Sequence, residues 1–203
     1  MIDLEGIVTK LNALPLHNGR RIIAIAGAPA SGKSTLAHAL HLQMSGSCVL
    51  PMDGFHRSNE DLEAHGLLSR KGAPETFDVV GFTAIIKAVR SQTAISVPTF
   101  DRTNDCVVSA GASIGAADTT VLVEGNYLLL DEAPWRDLAH LWDYSILLET
   151  PMEELQKRLV ARWLTYGHEM EGATRRAEAN DLPNARRMMQ HALSADLVVR
   201  STG

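Results

Sequence analysis

Gly27-Ala28-Pro29-Ala30-Ser31-Gly32-Lys33-Ser34-Thr35 is the stretch whose residue types and spacing most directly dictate chemistry. Two glycines separated by four residues and followed at once by Lys and Ser let the backbone curl until successive N–H groups point inward. That makes a cradle for phosphate oxygens. A helix starting there adds its positive end to the cradle. Lys33 then reaches the β- and γ-phosphates of a nucleoside triphosphate, Ser34 places its hydroxyl on Mg2+, and Thr35 packs or donates a further hydrogen bond. A chance match in a chain of this length has odds on the order of 1%. The flanks make it rarer, because an apolar run, Ile22-Ile23-Ala24-Ile25-Ala26, precedes the loop and a segment bearing Leu36 and Leu40 follows it.

Carboxylates and arginines elsewhere decide what is done with the phosphates. Asp53, in Pro51-Met52-Asp53-Gly54-Phe55-His56, follows an apolar run at the edge where ligands of open α/β sheets bind. An acceptor hydroxyl that attacks a γ-phosphoryl group must lose its proton, and Asp53 is the candidate base. Read alone, it is also an Asp-Gly turn after a strand. Glu124 ends the apolar run Val121-Leu122-Val123 and is the candidate for holding Mg2+ through water; read alone, it is equally a strand-end acid in solvent. Arg158 and Arg162 stand four apart beside the stripe Met152, Leu155, Leu159, and so share a helix face. They either close over the phosphates or form a solvated face. Arg175 and Arg176 have the weaker claim, lying in the polar, poorly periodic stretch from Gly167 to Asn180. The sequence has no N-K-x-D guanine motif and no L-S-G-G-Q transporter signature, which leaves phosphotransfer ahead of switches and transporter ATPases.

The elements that must position these groups follow from hydrophobic patterning. Ile22–Ala26 reads as the central strand of a parallel sheet, buried on both faces. Further strands are predicted at Cys48–Leu50, Ile95–Val97, Val121–Val123, Ser145–Leu148 and Leu197–Val199, with helices between most of them. Leu4, Ile7, Val8, Leu11 and Leu14 predict a packing helix that stops at Pro15. Phe82, Ile85, Ile86 and Val89 predict a helix starting near Asp78, and Thr150-Pro151-Met152-Glu153 predicts another with a capping box on Thr150. The small residues Ser109–Gly115 read as a hairpin tip or loop. Alternating strands and helices imply an α/β fold with a mostly parallel sheet and helices on both faces.

The bulk properties agree with a soluble small-molecule site. The 203 residues suit one domain, 1-203, with an arginine-bearing lid over roughly 158-184. A net charge of −5 gives no basic field for nucleic acid, and no polybasic patch or long apolar span points to a membrane. Met1 to Leu14 does not read as a signal peptide, so a cytoplasmic location is expected. Cys48 and Cys106 are too few for a disulfide scaffold or a four-cysteine metal site. Nothing in the sequence fixes an oligomeric state; a homo-oligomer is compatible with it.

Taken together, the phosphate loop, Asp53-Gly54-Phe55-His56, the run Arg70-Lys71-Gly72-Ala73-Pro74-Glu75-Thr76-Phe77-Asp78, Pro98-Thr99-Phe100-Asp101, Leu122-Val123-Glu124-Gly125 and the late arginines resemble the uridine kinase, phosphoribulokinase and bacterial pantothenate kinase superfamily. The short length and the D-G-F-H with R-K-G-A-P-E-T-F-D combination look most like its fructose-transport-system kinases, a fructokinase group. The resemblance implies a P-loop NTPase three-layer fold and transfer from ATP, with Mg2+, to a hydroxyl of a small-molecule substrate. It also makes His56, Arg70, Lys71, Asp78, Arg102 and Asn126 candidate acceptor contacts. The missing N-F-D-H-P segment of uridine kinases weighs against a nucleoside, while the R-K-G-x-P-E pattern keeps pantothenate open beside a sugar. An alternative of another class is a nucleotide-binding regulator of a transport system that has lost catalysis.

Overall fold

The computed structural model describes residues 2–201. Along Arg21–Gly27 (β1), Ile22, Ala24 and Ala26 pack into one buried cluster, and Ile23 and Ile25 into another. A strand apolar on both sides has to be covered on both faces. On one face lie the helices Leu4–Asn12 (α1) and Lys33–Gln43 (α2), through Ile7, Leu11, Leu36, Ala37 and Leu40. On the other, Val79–Ser91 (α4) contributes Phe82, Ile86 and Val89, packed with Tyr127 and Trp135. The short helix Asn59–Ala64 (α3) lies between these elements in sequence.

The five-stranded sheet has the order β2-β5-β1-β6-β7, with β2 at Ser47–Pro51, β5 at Thr120–Gly125, β6 at Tyr144–Glu149 and β7 at Leu197–Arg200. Every pairing in it is parallel, and β1 is central as predicted. The register sets Glu124 opposite both Ile25 and Pro51, and Gly27 opposite Leu148. The phosphate loop, the turn holding Asp53 and the end of β5 therefore emerge at the same carboxyl edge.

Three predictions need correction. Ile95–Val97 is strand, but it belongs to Ile95–Asp101 (β3), which pairs antiparallel with Cys106–Ile114 (β4) in a separate two-stranded sheet. Ser109–Gly115 is not the hairpin tip; most of it is β4 strand, and the tip is 102–105, where the Asp101 carboxylate accepts from the Thr103 and Asn104 amides. The small residues have a packing cause, since a Cβ on Gly111 would collide with the Thr99 side chain. Lastly, Thr150 does not cap Met152–Thr165 (α5). Pro151, extended at φ −56° and ψ 141°, holds the cap position, so Thr150 sits one residue early and donates instead to the Ser31 carbonyl at 3.3 Å. Asp78 does cap α4, accepting from the Gly81 amide at 2.9 Å.

Candidate active site

The phosphate loop leaves β1 and returns as α2 through two residues in the left-handed region, Ala30 at φ 64° and Gly32 at φ 97°. That region costs little for glycine and is unusual for alanine, so Ala30 is held there by its surroundings. A Cβ on Gly27 would come within 2.6 Å of Ser31 Oγ and 3.1 Å of the Leu148 carbonyl oxygen, so only glycine fits. Ser31 Oγ is itself buried with no hydrogen-bond partner among the described residues. Ser34 and Thr35 are exposed at the helix start, where a ligand can reach their hydroxyls.

Around Lys33 the site is electrostatically tense. Burial pushes its ammonium below the usual lysine range, opposed by the charges of Glu124 and then Asp53. Glu124 is 6% exposed, and burial raises its carboxyl, opposed mainly by Lys33. Ser34 also lies against it and lowers it by hydrogen bonding. No group of three or more His, Cys, Asp or Glu side chains among the described residues makes a complete metal cage. A buried carboxylate with one hydroxyl beside it does fit Mg2+, which keeps most of its shell from water and phosphate oxygens. Asp53 sits in the 3-10 turn Met52–Phe55 after β2. The β3-β4 hairpin packs hard on this turn: a Cβ on Gly54 would strike the Pro98 carbonyl. From the hairpin tip Arg102 pairs with Asp53 Oδ2, leaving Oδ1 free of it.

The run Arg70–Asp78 is laced to the Asp53 turn by main-chain bonds, Arg57 N to Thr76 O at 3.0 Å and Asp78 N to Phe55 O at 2.8 Å. His56 stacks on Phe77 with ring centroids 4.1 Å apart and leans on Phe100 at 4.8 Å. Burial lowers its pKa to about 4, against the pull of Asp53, so the ring is neutral at pH 7. Among the described residues its Nδ1 has no partner, nor does Asn126 Oδ1 at the end of β5. The other four candidates are differently placed. Arg70 pairs with Glu75 at 3.5 Å; Lys71 Nζ bonds Asn59 Oδ1 at 2.6 Å and Asp105 Oδ1 at 2.7 Å; Arg102 holds Asp53; and Asp78 is the cap of α4. A cavity of about 730 Å³ opens beside His56 between Asp61, Glu75, Trp135 and Arg187, but neither Asp53 nor the phosphate loop lines it.

Beyond α5 the chain forms Met170–Arg176 (α6), a π-helical turn Ala177–Asp181 and Leu182–Gln190 (α7). Arg158 reaches the loop, with Nη1 3.3 Å from the Ser31 carbonyl and Nε 2.7 Å from Glu154. Arg162 lies near enough to Lys33 to depress its pKa, and its Nη2 is 3.3 Å from Asp181 Oδ1. Arg175 is an exposed partner of Glu171, and Arg176 covers the Trp163 ring at 4.8 Å. Sequence reasoning did not pick out Asp181, Asn180, Asn184 or Trp163. A π turn inserts one residue into the helical phase, so the 3.6-residue pattern fails where these residues stand. The loss of periodicity before Asn180 was the available signal.

No family model matches the chain. It is 34% identical to "Uncharacterized protein YggC" of Escherichia coli K12, covering 98% of this chain and 86% of that one. It is 30% identical to "Putative uridine kinase C227.14" of Schizosaccharomyces pombe, covering 91% and 84%. Pantothenate kinase of Streptomyces coelicolor is 29% identical, over 70% of this chain but 47% of that enzyme. Among solved structures, a "putative fructose transport system kinase from Silicibacter sp. TM1040" superposes at TM-score 0.91 with 43% identity, over 98% of this chain and all of that one.

Proposed function

Because the chain belongs to the P-loop kinase family of uridine kinase and pantothenate kinase relatives, and is an ATP-dependent small-molecule kinase, we propose that its acceptor is an uncharged, hydroxyl-rich metabolite of the sugar class. The observation that carries this reading is the charge balance of the acceptor side. Arg70, Lys71, Arg102 and Arg187 are each already paired with a carboxylate, and His56 is neutral. The free capacity is uncharged: His56 Nδ1, Asn126 Oδ1 and Asn184 Oδ1 are buried and unpartnered among the described residues. Buried polar atoms of this kind need hydrogen-bonding partners, which hydroxyls supply. A carboxylate acceptor would instead need a cation released from its ion pair. The name of the Silicibacter relative points the same way.

In this reading residues 1-203 form one kinase domain, acting in the cytoplasm, with the segment from about 158 to 184 as its lid. Lys33 and the backbone N–H groups of the Gly27–Thr35 loop, all but that of Pro29, hold the ATP phosphates, with Arg158 beside the loop and Arg162 set to neutralise charge on the transferred group. Ser34 and Glu124 would hold Mg2+, which would supply positive charge to offset that of the phosphates. Asp53 Oδ1 takes the proton of the acceptor hydroxyl as the hydroxyl oxygen attacks the γ-phosphorus and the bond from that phosphorus to the β–γ bridging oxygen breaks, releasing ADP, while Arg102 keeps the carboxylate in place through Oδ2. Coupled ADP release with D-fructose, uridine and pantothenate as separate acceptors tests the proposal. Turnover with fructose alone is the expected result, and turnover only with pantothenate overturns the acceptor class while leaving the kinase intact.

A further inference from the structure

Asp181 is 9% exposed and stands where the π-helical turn runs into α7. Its two carboxylate oxygens are divided between neighbours on α5. Oδ1 takes Arg162 Nη2 at 3.3 Å, and Oδ2 takes the Trp163 indole N–H at 2.7 Å. The Trp163 ring is in turn flanked by the guanidinium groups of Arg162 at 5.6 Å and Arg176 at 4.8 Å. A carboxylate held on a second, rigid donor cannot swing to follow a mobile arginine, so it fixes where that arginine points. Arg162 keeps its Nε buried without a partner among the described residues, a donor left over for something else.

The preceding residue faces a different element. Asn180 Nδ2 donates to the Lys71 carbonyl at 2.8 Å, and its Oδ1 accepts from Asn184 at 3.2 Å. Lys71 lies in the Arg70–Asp78 segment, whose next carbonyl, Gly72 O, is held by Tyr127 Oη at 2.5 Å. Two adjacent residues of one π turn thus grip the phosphate-side arginine and the acceptor-side segment. π turns recur at functional sites because the inserted residue redirects neighbouring side chains.

We propose that Asp181 is the positioning residue for Arg162, and that Asn180, by holding the Lys71 carbonyl, ties the place of Arg162 to the acceptor segment. The inference rests on the kinase reading but not on the acceptor being a sugar. Steady-state ADP release tests it, measured with whichever acceptor the protein uses and also as basal release into water, since Arg162 faces the phosphates in both. D181N should lower kcat about 10-fold to 10²-fold, the effect of loosening one aligned group, and leave the KM for ATP within about twofold. In an R162A background it should lower kcat no further. If D181N folds poorly, W163F removes the indole donor while keeping an aromatic ring and should lower kcat less, with the loss again vanishing in R162A. N180A should lower acceptor-dependent kcat by more than it lowers basal release. Equal losses from D181N or W163F with and without Arg162 would make Asp181 structural and overturn the proposal, as would equal losses from N180A in both assays. An acceptor panel that stimulates nothing would sink the sugar assignment but leave this cycle readable in basal release.

Discussion

At the phosphate end, three strands of one parallel sheet deliver the loop, Asp53 and Glu124 to a single edge, in a register fixed over the length of each strand. At the acceptor end, the groups come from the turn after β2, the Arg70–Asp78 run, the β3-β4 hairpin and the π turn, joined by side chains and short main-chain bridges. The first region is backbone geometry carrying buried, mutually opposing charges. The second is a lattice of satisfied ion pairs around a few unsatisfied neutral atoms. The difference shows why phosphate handling can stay constant while acceptors vary: loops and side chains on the second side can change without disturbing the sheet register that sets the first.

Two substitutions break that comparison most directly. K33A should lower turnover about 10²-fold or more and also weaken ATP binding, because a preorganised cation on the transferring phosphate is lost. It also leaves Glu124 buried without its main opposing charge, pushing that carboxyl further up. D53N should lower turnover by roughly 10²-fold, the lower range of general-base effects, while ATP binding measured calorimetrically stays near wild type. A matched loss of binding in D53N would mean that Asp53 holds the phosphate end together rather than serving as the base that links it to the acceptor.

What the sequence made legible divides along the same line. The phosphate loop, the central strand and the strand-end acids could be read because each is a local pattern: a glycine spacing, an apolar run, an acid after that run. The hairpin could not, since a bulge between Val97 and Thr99 and a string of small residues hide the strand alternation of β4. Nor could the fate of Lys71, whose partners Asn59 and Asp105 lie 12 and 34 positions away. The family resemblance marked Lys71, Arg70 and Arg102 as acceptor contacts, but only the tertiary structure reveals that each is paired. Arg158 and Arg162 were legible as a shared helix face; whether that face closed over the phosphates or lay in solvent was not.

The smallest effect probes how dry the acceptor end is. His56 has its pKa lowered from 6.5 to about 4 chiefly by burial, with Asp53 and Asp105 pulling it up and Lys71 and Arg102 pushing it down. The unfolded chain therefore binds a proton at His56 that the folded protein refuses between these values, and stability falls as pH drops through that window. The shift corresponds to ~3 kcal/mol, present above pH 6.5 and lost by about pH 4. H56F keeps a ring against Phe77 but cannot titrate. Denaturant unfolding of both proteins across this range should show wild type losing roughly 1.4 kcal/mol more per pH unit than the variant. Parallel curves would mean that His56 titrates in water-like surroundings; the acceptor end would then be wet, and the argument that its neutral, unpartnered atoms select a hydroxyl-rich ligand would lose its footing.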